Sequence, residues 1–528
     1  MSPGRSAGAS DPAAAPGPFP WWLVGATLLV YGVALLKPLA IDEESYRWLG
    51  RVVTWEDPYG WMRTWQGQQG WLYAHPPLFL WWAKLLSTLE SLPLARLASL
   101  PWVLLWAGSS ALWMRRTTHH PEVAGVAWLG SAIVVLGLQD SLMIDLPYVA
   151  LSTAAVAFYR EGLSDTRVPW TLLGGVALGA AIETKYPAAL FALVLLLHGW
   201  RRGHPLAFWA PAAAMVGGVE GWLRTEHGEW HLAAVWRSRE LVARGPLAGR
   251  LLGVLSRGAL LPATAGLLYF RPVHAAIGLA LAIGALVWAR PVEIEAGGVV
   301  FLLLCASLGG AALSRGLDGL FQSPLRRRKG DRDDGILLGG MIAATFVGVI
   351  LVHNYASARY LLPAATPLAI VLARSAEDLT SGKRVQLVVS GVGAVVAAGL
   401  AIADWQFCAA GEEAAERGLA AAAAREVPPG LFAAEWSARA TLEAAGWKRM
   451  VDTDTPEVGS TVLVLGNSGG KVPASWEPIQ VEEVEGGFPL RVVDVRGRVG
   501  LYAETLGVLP FGLSGRPLET AVLYEVRR

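Results

Sequence analysis

The chain has 528 residues, 53% of them hydrophobic and 16% charged, with 24 tryptophans, a mean hydropathy of +0.41 and a formal charge of +1 at pH 7. That composition excludes an ordinary soluble enzyme and points to a polytopic membrane protein. The near-neutral charge excludes a nucleic-acid partner, because phosphate-backbone recognition needs a strongly basic face. Cys305 and Cys408 lie far apart and form neither a disulfide scaffold nor a metal-type spacing.

Residues 1–20, rich in Pro, Ala, Gly and Ser, read as a disordered cytoplasmic tail. The apolar run 21–39 has no small-residue cleavage pattern and is expected to stay as the first span. Further runs able to cross a hydrocarbon core of about 30 Å occur near 97–114, 122–138, 146–160, 169–183, 187–200, 205–222, 258–272, 273–290, 297–314, 336–352, 361–374 and 385–403. "HPPLFLWWAKLLSTLE" from His75 is ambiguous. Basic clusters at Arg115/Arg116, Arg201/Arg202, Arg326 to Lys329 and Lys383/Arg384 belong in the cytoplasm by the positive-inside rule. With the amino terminus inside, all four fall there only if the His75 segment lies along the outer interface. About 13 spans result, and the carboxyl terminus is outside.

That parity sends the polar features to one face: loop 41–96, "QDSLMID" from Gln139, "ETKYPA" from Glu183, loop 223–257, "HNYASARYLLPA" from His353, and the tail. The tail turns strand-like at "STVLVLG", "PIQVEEVE", "LRVVDVRG" and "AVLYEVRR", after a helix-like "AAEWSARATLEAAGW". It reads as a small α/β domain over 405–528, following a transmembrane domain over 21–404. "GNSGG" from Gly466 lacks the context of a phosphate-binding loop and reads as a turn.

Ionisable groups at membrane depth cost a few kcal/mol and tend to mark sites. Asp42 and Glu43, which end the first span, read either as a solvated helix end or as a carboxylate base with a neighbour that positions an acceptor or binds a metal. Asp140 and Asp145 flank the next outer turn, as helix caps or as a second acidic site facing the same cavity. Lys185 and Arg359 stand on the outer side, where the positive-inside rule disfavours cations, each next to a tyrosine (Tyr186, Tyr360) and close to a proline. Such a pair suits a phosphate or pyrophosphate at headgroup depth. His75 and His353 read either as ordinary loop histidines or as partners of that group or of a metal. A base together with cations that stabilise a phosphate leaving group is the chemistry of sugar transfer from a polyprenyl-phosphate carrier.

Four stretches in this order, "IDEESY" from Ile41, "HPPLFLWWAKLL" from His75, "ETKYPA" from Glu183 and "ARYLLPA" from Ala358, resemble motifs of the GT-C class of integral-membrane glycosyltransferases. The bacterial group in question is similar to protein O-mannosyltransferases and to the aminoarabinose transferase of lipid A. The likeness covers roughly residues 20 to 404. It implies an all-α GT-C membrane domain in the bacterial inner membrane, a juxtamembrane Pro-Pro helix and a periplasmic carboxyl-terminal domain. It implies Asp42 as base, Glu43 as its support, Lys185, Arg359 and Tyr360 with His75 at the donor phosphate, and Asp145 with Asp140 as a second acidic or acceptor site. His75 stands where the lipid A enzyme has lysine. Dependence on a divalent metal ion stays open, with Glu43, His75 and His353 as candidate ligands. The implied partners are a polyprenyl-phosphate-linked sugar, the bilayer, and a lipid, glycan or protein acceptor. A transporter or flippase of lipid-linked sugars is the alternative, although such proteins favour internal repeats and helices broken near midplane.

Overall fold

The structure, a computed structural model, describes residues 18–38, 43–60, 75–89, 91–138, 142–165, 168–199, 206–238, 246–261, 263–290, 294–321, 329–353, 356–377, 382–435, 437–450, 455–467, 472–503 and 505–527. Most of them form helices. Six are long and apolar enough to cross a membrane by length and composition: Leu92–Thr117, Leu206–His227, Pro272–Ala289, Ala296–Phe321, Asp334–Leu351 and Gly382–Ala424. Shorter apolar helices occupy Trp21–Ala34, Pro121–Val134, Val168–Thr184 and Tyr186–Gly199. Helix Pro272–Ala289 buries only 17% of its apolar window against protein, and it leaves Val273, Val287 and Trp288 exposed. An apolar helix facing outward in this way needs lipid around it.

Helix Asp145–Asp165 behaves differently, with Val149, Ala150, Ala154, Val156 and Tyr159 all buried in the central core. Small residues bring other helices together. A Cβ on Gly309 would lie 2.0 Å from the Leu255 carbonyl oxygen, so Leu247–Gly258 and Ala296–Phe321 touch backbone to backbone there.

Three expectations change. The run 258–272 is not one crossing: helix Leu247–Gly258 ends and, after a turn, Ala263–Phe270 follows, eight residues that rise only about 12 Å. The run 361–374 begins as a 3-10 turn, Ala358–Ala364, with Pro363 inside it, before helix Ala365–Glu377. The helix of the last apolar run does not stop near 404, because Gly382–Ala424 is one unbroken helix of 43 residues. Its extension buries Ala410, Ala414, Ala415 and Ala422 against the carboxyl-terminal sheet. The amphipathic pair Glu43–Val52 and Pro77–Ser87 packs tightly outside the main core, joining Tyr46, Leu49, Phe79 and Leu80 with Met143, Ile144 and Leu223.

In the carboxyl-terminal sheet β1 (Leu431–Ala433) pairs in parallel with β2 (Lys448–Arg449) and β3 (Thr461–Leu465). Strand β5 (Glu519–Val526) lies antiparallel between β3 and β4 (Trp476–Val484), in the order β2-β1-β3-β5-β4. The start of "GNSGG" is a turn whose amides already have a carboxylate. Glu519 accepts the Asn467 N–H at 2.8 Å and the Thr520 N–H at 2.9 Å.

Burial pushes Glu519 from the usual 4.5 up to about 7, against the backbone donors that hold it down. Folding therefore favours the protonated group, so stability is greatest near the unfolded value and falls as pH rises through about 7. The sheet domain is expected to lose up to about 3 kcal/mol of stability over that window. Glu519→Gln should flatten this dependence in pH-resolved melting; an unchanged slope would show that Glu519 is not its source.

Candidate functional site

Each cation of the anticipated pair is placed by a break between helices. Helix Val168–Thr184 ends in an extended Lys185, followed by the 3-10 turn Tyr186–Ala188. An extended Ser357 likewise starts the turn Ala358–Ala364 that carries Arg359. Both side chains reach the amino-terminal residue of the buried helix, Asp145. Lys185 Nζ donates to Asp145 Oδ1 at 2.6 Å, and Arg359 Nε stands 3.8 Å from Asp145 Oδ2. Asp145 is thus the shared counter-ion of the two cations. Together the three leave a net positive charge in a buried place, where Coulombic interactions are strong.

Aromatic rings complete the setting. The Lys185 ammonium lies 4.3 Å from the Tyr360 ring centroid and 5.6 Å from that of Tyr148, and Arg359 lies 5.2 Å from Tyr360. His353 stacks on Tyr360 at 3.9 Å. Such faces attract cations and hold them against exchange with water. Arg250 donates to the carbonyls of Ile350 and His353 at 2.7 and 2.9 Å, which fixes the end of helix Lys329–Leu351 beside them.

His75 faces the same group. Burial, and after it the positive charges of Lys185, Arg359 and His231, push its imidazole down to about 3, against the opposing pull of Asp145. At neutral pH it is therefore uncharged and can meet a phosphate only as a hydrogen-bonding group. Tyr59 donates to the His75 carbonyl at 2.9 Å and stacks on His231 at 4.8 Å. The Tyr186 hydroxyl lies 2.6 Å from both Glu220 Oε1 and His231 Nδ1.

A groove of about 890 Å³ opens from there. Its walls are mainly apolar, from Leu190, Val216, Gly217, Leu232, Trp236 and Val352, with Tyr186, Glu220 and Arg237 as polar points. Lys185, Arg359 and Asp145 are not in its walls, but Tyr186 follows Lys185 and Val352 precedes His353 along the chain.

The acidic loop has a different organiser. Arg96 grips Glu43 with two donors, Nε to Oε1 at 2.9 Å and Nη2 to Oε2 at 2.5 Å. It also donates to the carbonyls of Leu35 (3.1 Å), Lys37 (2.5 Å) and Pro38 (3.0 Å). One guanidinium thus holds the described residues on either side of 39–42. Glu43 is wholly buried with both oxygens on Arg96, the place of a structural counter-ion. Asp42 and Asp140 lie outside the described residues.

Among the described residues no group of three or more His, Cys, Asp or Glu side chains could hold a metal ion. Of the three candidate ligands, Glu43 is bound to Arg96, His353 stacks on Tyr360 and His75 faces Lys185 and Asp145. Arg96, Tyr148, Glu220 and His231 escaped the sequence reading. Arg96 carries the signal that marked Lys185 and Arg359, a cation in a segment assigned outside; the other three have no local signal.

The far end of the buried helix holds a separate set of ion pairs. Arg116 pairs with Glu161 at 2.6 Å, and Asp334 meets Arg160 at 3.1 Å and Arg374 at 3.5 Å. Residues 145 and 160 are about 22 Å apart along the helix. The Arg115/Arg116 cluster and the Lys185/Arg359 pair therefore lie at opposite ends of the bundle.

No protein-family model matches the chain, and no curated protein matches it. Among solved structures it is similar to arabinosyltransferase EmbB from Mycobacterium smegmatis, with 15% identity and a TM-score of 0.28, over 71% of this chain and 40% of that one. The chain thus spans less than half the length of that protein, and its own site geometry is what bears on activity.

Proposed function

We propose that the protein is a membrane glycosyltransferase that moves a sugar from a polyprenyl-phosphate carrier to a hydroxyl or phosphate acceptor at the periplasmic face. The observation that carries this reading is the convergence of Lys185 and Arg359 on Asp145, one residue along the chain from Tyr186 in the wall of an apolar groove. A lipid phosphate needs both halves, fixed positive charge for the head and a long apolar surface for the tail.

In the transfer, an acceptor oxygen attacks the anomeric carbon, and the bond from that carbon to the carrier phosphate oxygen breaks with its electron pair. The polyprenyl phosphate leaves carrying the added negative charge. Arg359 offers a fork of donors to it and Lys185 a second charge behind, both oriented beforehand by Asp145 and the Tyr360 ring. Asp42 takes the acceptor proton as general base. His75, neutral, donates or accepts a hydrogen bond without adding charge.

The test is consumption of a panel of polyprenyl-phosphate sugars by the purified protein in liposomes, with Gly217→Phe as a probe of the groove. A Cβ at Gly217 meets nothing within 4 Å, so the ring can enter the groove with the helix intact. The KM for long-chain donors is expected to rise by about tenfold or more, while short-chain donors are spared. Labelled lipid crossing the bilayer with no donor consumed would install the transporter in place of the transferase.

A further inference from the structure

The carboxyl-terminal domain is joined to the membrane helices by buried polar bonds. Arg257, on helix Leu247–Gly258, has none of its surface exposed. Its guanidinium donates to the Gly500 carbonyl, to Leu501 at 3.2 Å, to Gly507 at 2.9 Å and to Gly253 of its own helix at 3.2 Å. Ser256 Oγ reaches the Val508 carbonyl at 3.3 Å. Val499 and Leu509 belong to the main core of the bundle, and Leu501 packs with Ala358, Leu400 and Ala403.

Two bonds lead from this segment to the two halves of the site. The Leu501 carbonyl accepts the Ala358 N–H at 3.5 Å, one residue before Arg359. Tyr502 donates its hydroxyl to Asp404, which is fully buried and also binds Lys37. Lys37 in turn gives its carbonyl to Arg96, the residue that holds Glu43.

We propose that the 499–503 segment is a clamp that fixes the distance between the phosphate-gripping turn and the acidic loop, with Arg257 and Tyr502 as positioning residues. Its catalytic consequence rests on the function proposed above; its structural content does not. The carboxyl-terminal domain is then tied to the site, since withdrawal of the segment would leave buried Arg257 donors on one side and the carbonyl acceptors of Gly500, Leu501 and Gly507 on the other unsatisfied.

The experiment measures deuterium uptake of the full-length protein in lipid nanodiscs for Tyr502→Phe, Arg257→Lys and Arg257→Gln. Arg257→Gln is expected to speed exchange in peptides covering 356–364 by about tenfold, with Arg257→Lys intermediate. Tyr502→Phe should loosen 35–38 and leave 356–364 protected. In the donor assay, Tyr502→Phe should lower kcat with donor KM unchanged, whereas Arg257→Lys should also raise donor KM, because it disturbs the turn carrying Arg359.

Exchange at 356–364 that stays at the wild-type rate in both Arg257 variants overturns the clamp, as does a uniform rise over the whole chain in Arg257→Lys. If Arg257→Gln fails to fold, Arg257→Lys and Tyr502→Phe carry the test. The expected exchange pattern in a protein that consumes no polyprenyl-phosphate sugar would sink the proposed activity and leave the clamp standing.

Discussion

Lys185→Met is expected to lower sugar transfer by at least about 10²-fold, the usual loss when one preorganised charge at a developing oxyanion is removed. The same substitution strips Asp145 of its closest partner in a buried place, which costs about 3–5 kcal/mol, so lost activity alone would be ambiguous. The double variant Asp145→Asn with Lys185→Met separates the two effects. It removes both charges of the 2.6 Å pair and should recover much of the melting temperature while the activity stays lost. Arg359→Lys sharpens the point: it keeps the charge and loses the planar fork, so donor KM should rise while stability barely changes. Wild-type turnover in a folded Lys185→Met protein would remove this residue from the phosphate site.

The second large effect separates the neighbours Asp42 and Glu43. Arg96→Met should lower stability by about 3–5 kcal/mol, because it removes both guanidinium donors from the buried Glu43 carboxylate and takes the same donors from the carbonyls of Leu35, Lys37 and Pro38. Glu43→Gln should destabilise in the same direction by less, and combining the two should restore part of the loss. Asp42→Asn should behave in the opposite way, with turnover falling by about 10²–10⁴-fold and melting unchanged. Thermal melting beside donor turnover on the same preparations reads both. Turnover lost in Glu43→Gln at full stability would move the chemistry onto Glu43; turnover retained in Asp42→Asn would remove the base assignment.

The sequence by itself determined what depends on local composition. Apolar runs such as 122–138 and 297–314 became helices Pro121–Leu138 and Ala296–Phe321, because in hydrocarbon every backbone group must find its partner within the segment. Alternation marked β3 and β5. The anomaly of cations beside proline breaks, in segments that the charge pattern assigns to the outer side, singled out Lys185 and Arg359, which the fold brings to one carboxylate.

Only the tertiary structure decided which charges meet. Asp145 serves Lys185 and Arg359 from 40 and 214 residues away, Glu43 belongs to Arg96 from 53 away, and Arg257 reaches Leu501 across 244. No periodicity encodes such pairs. A buried charge can be answered by any partner that packing brings within about 4 Å, and packing is settled by how helices fit together, as where Gly309 lets a neighbouring backbone approach. The sequence therefore shows where charge is anomalous, and the fold determines what that charge is paired with.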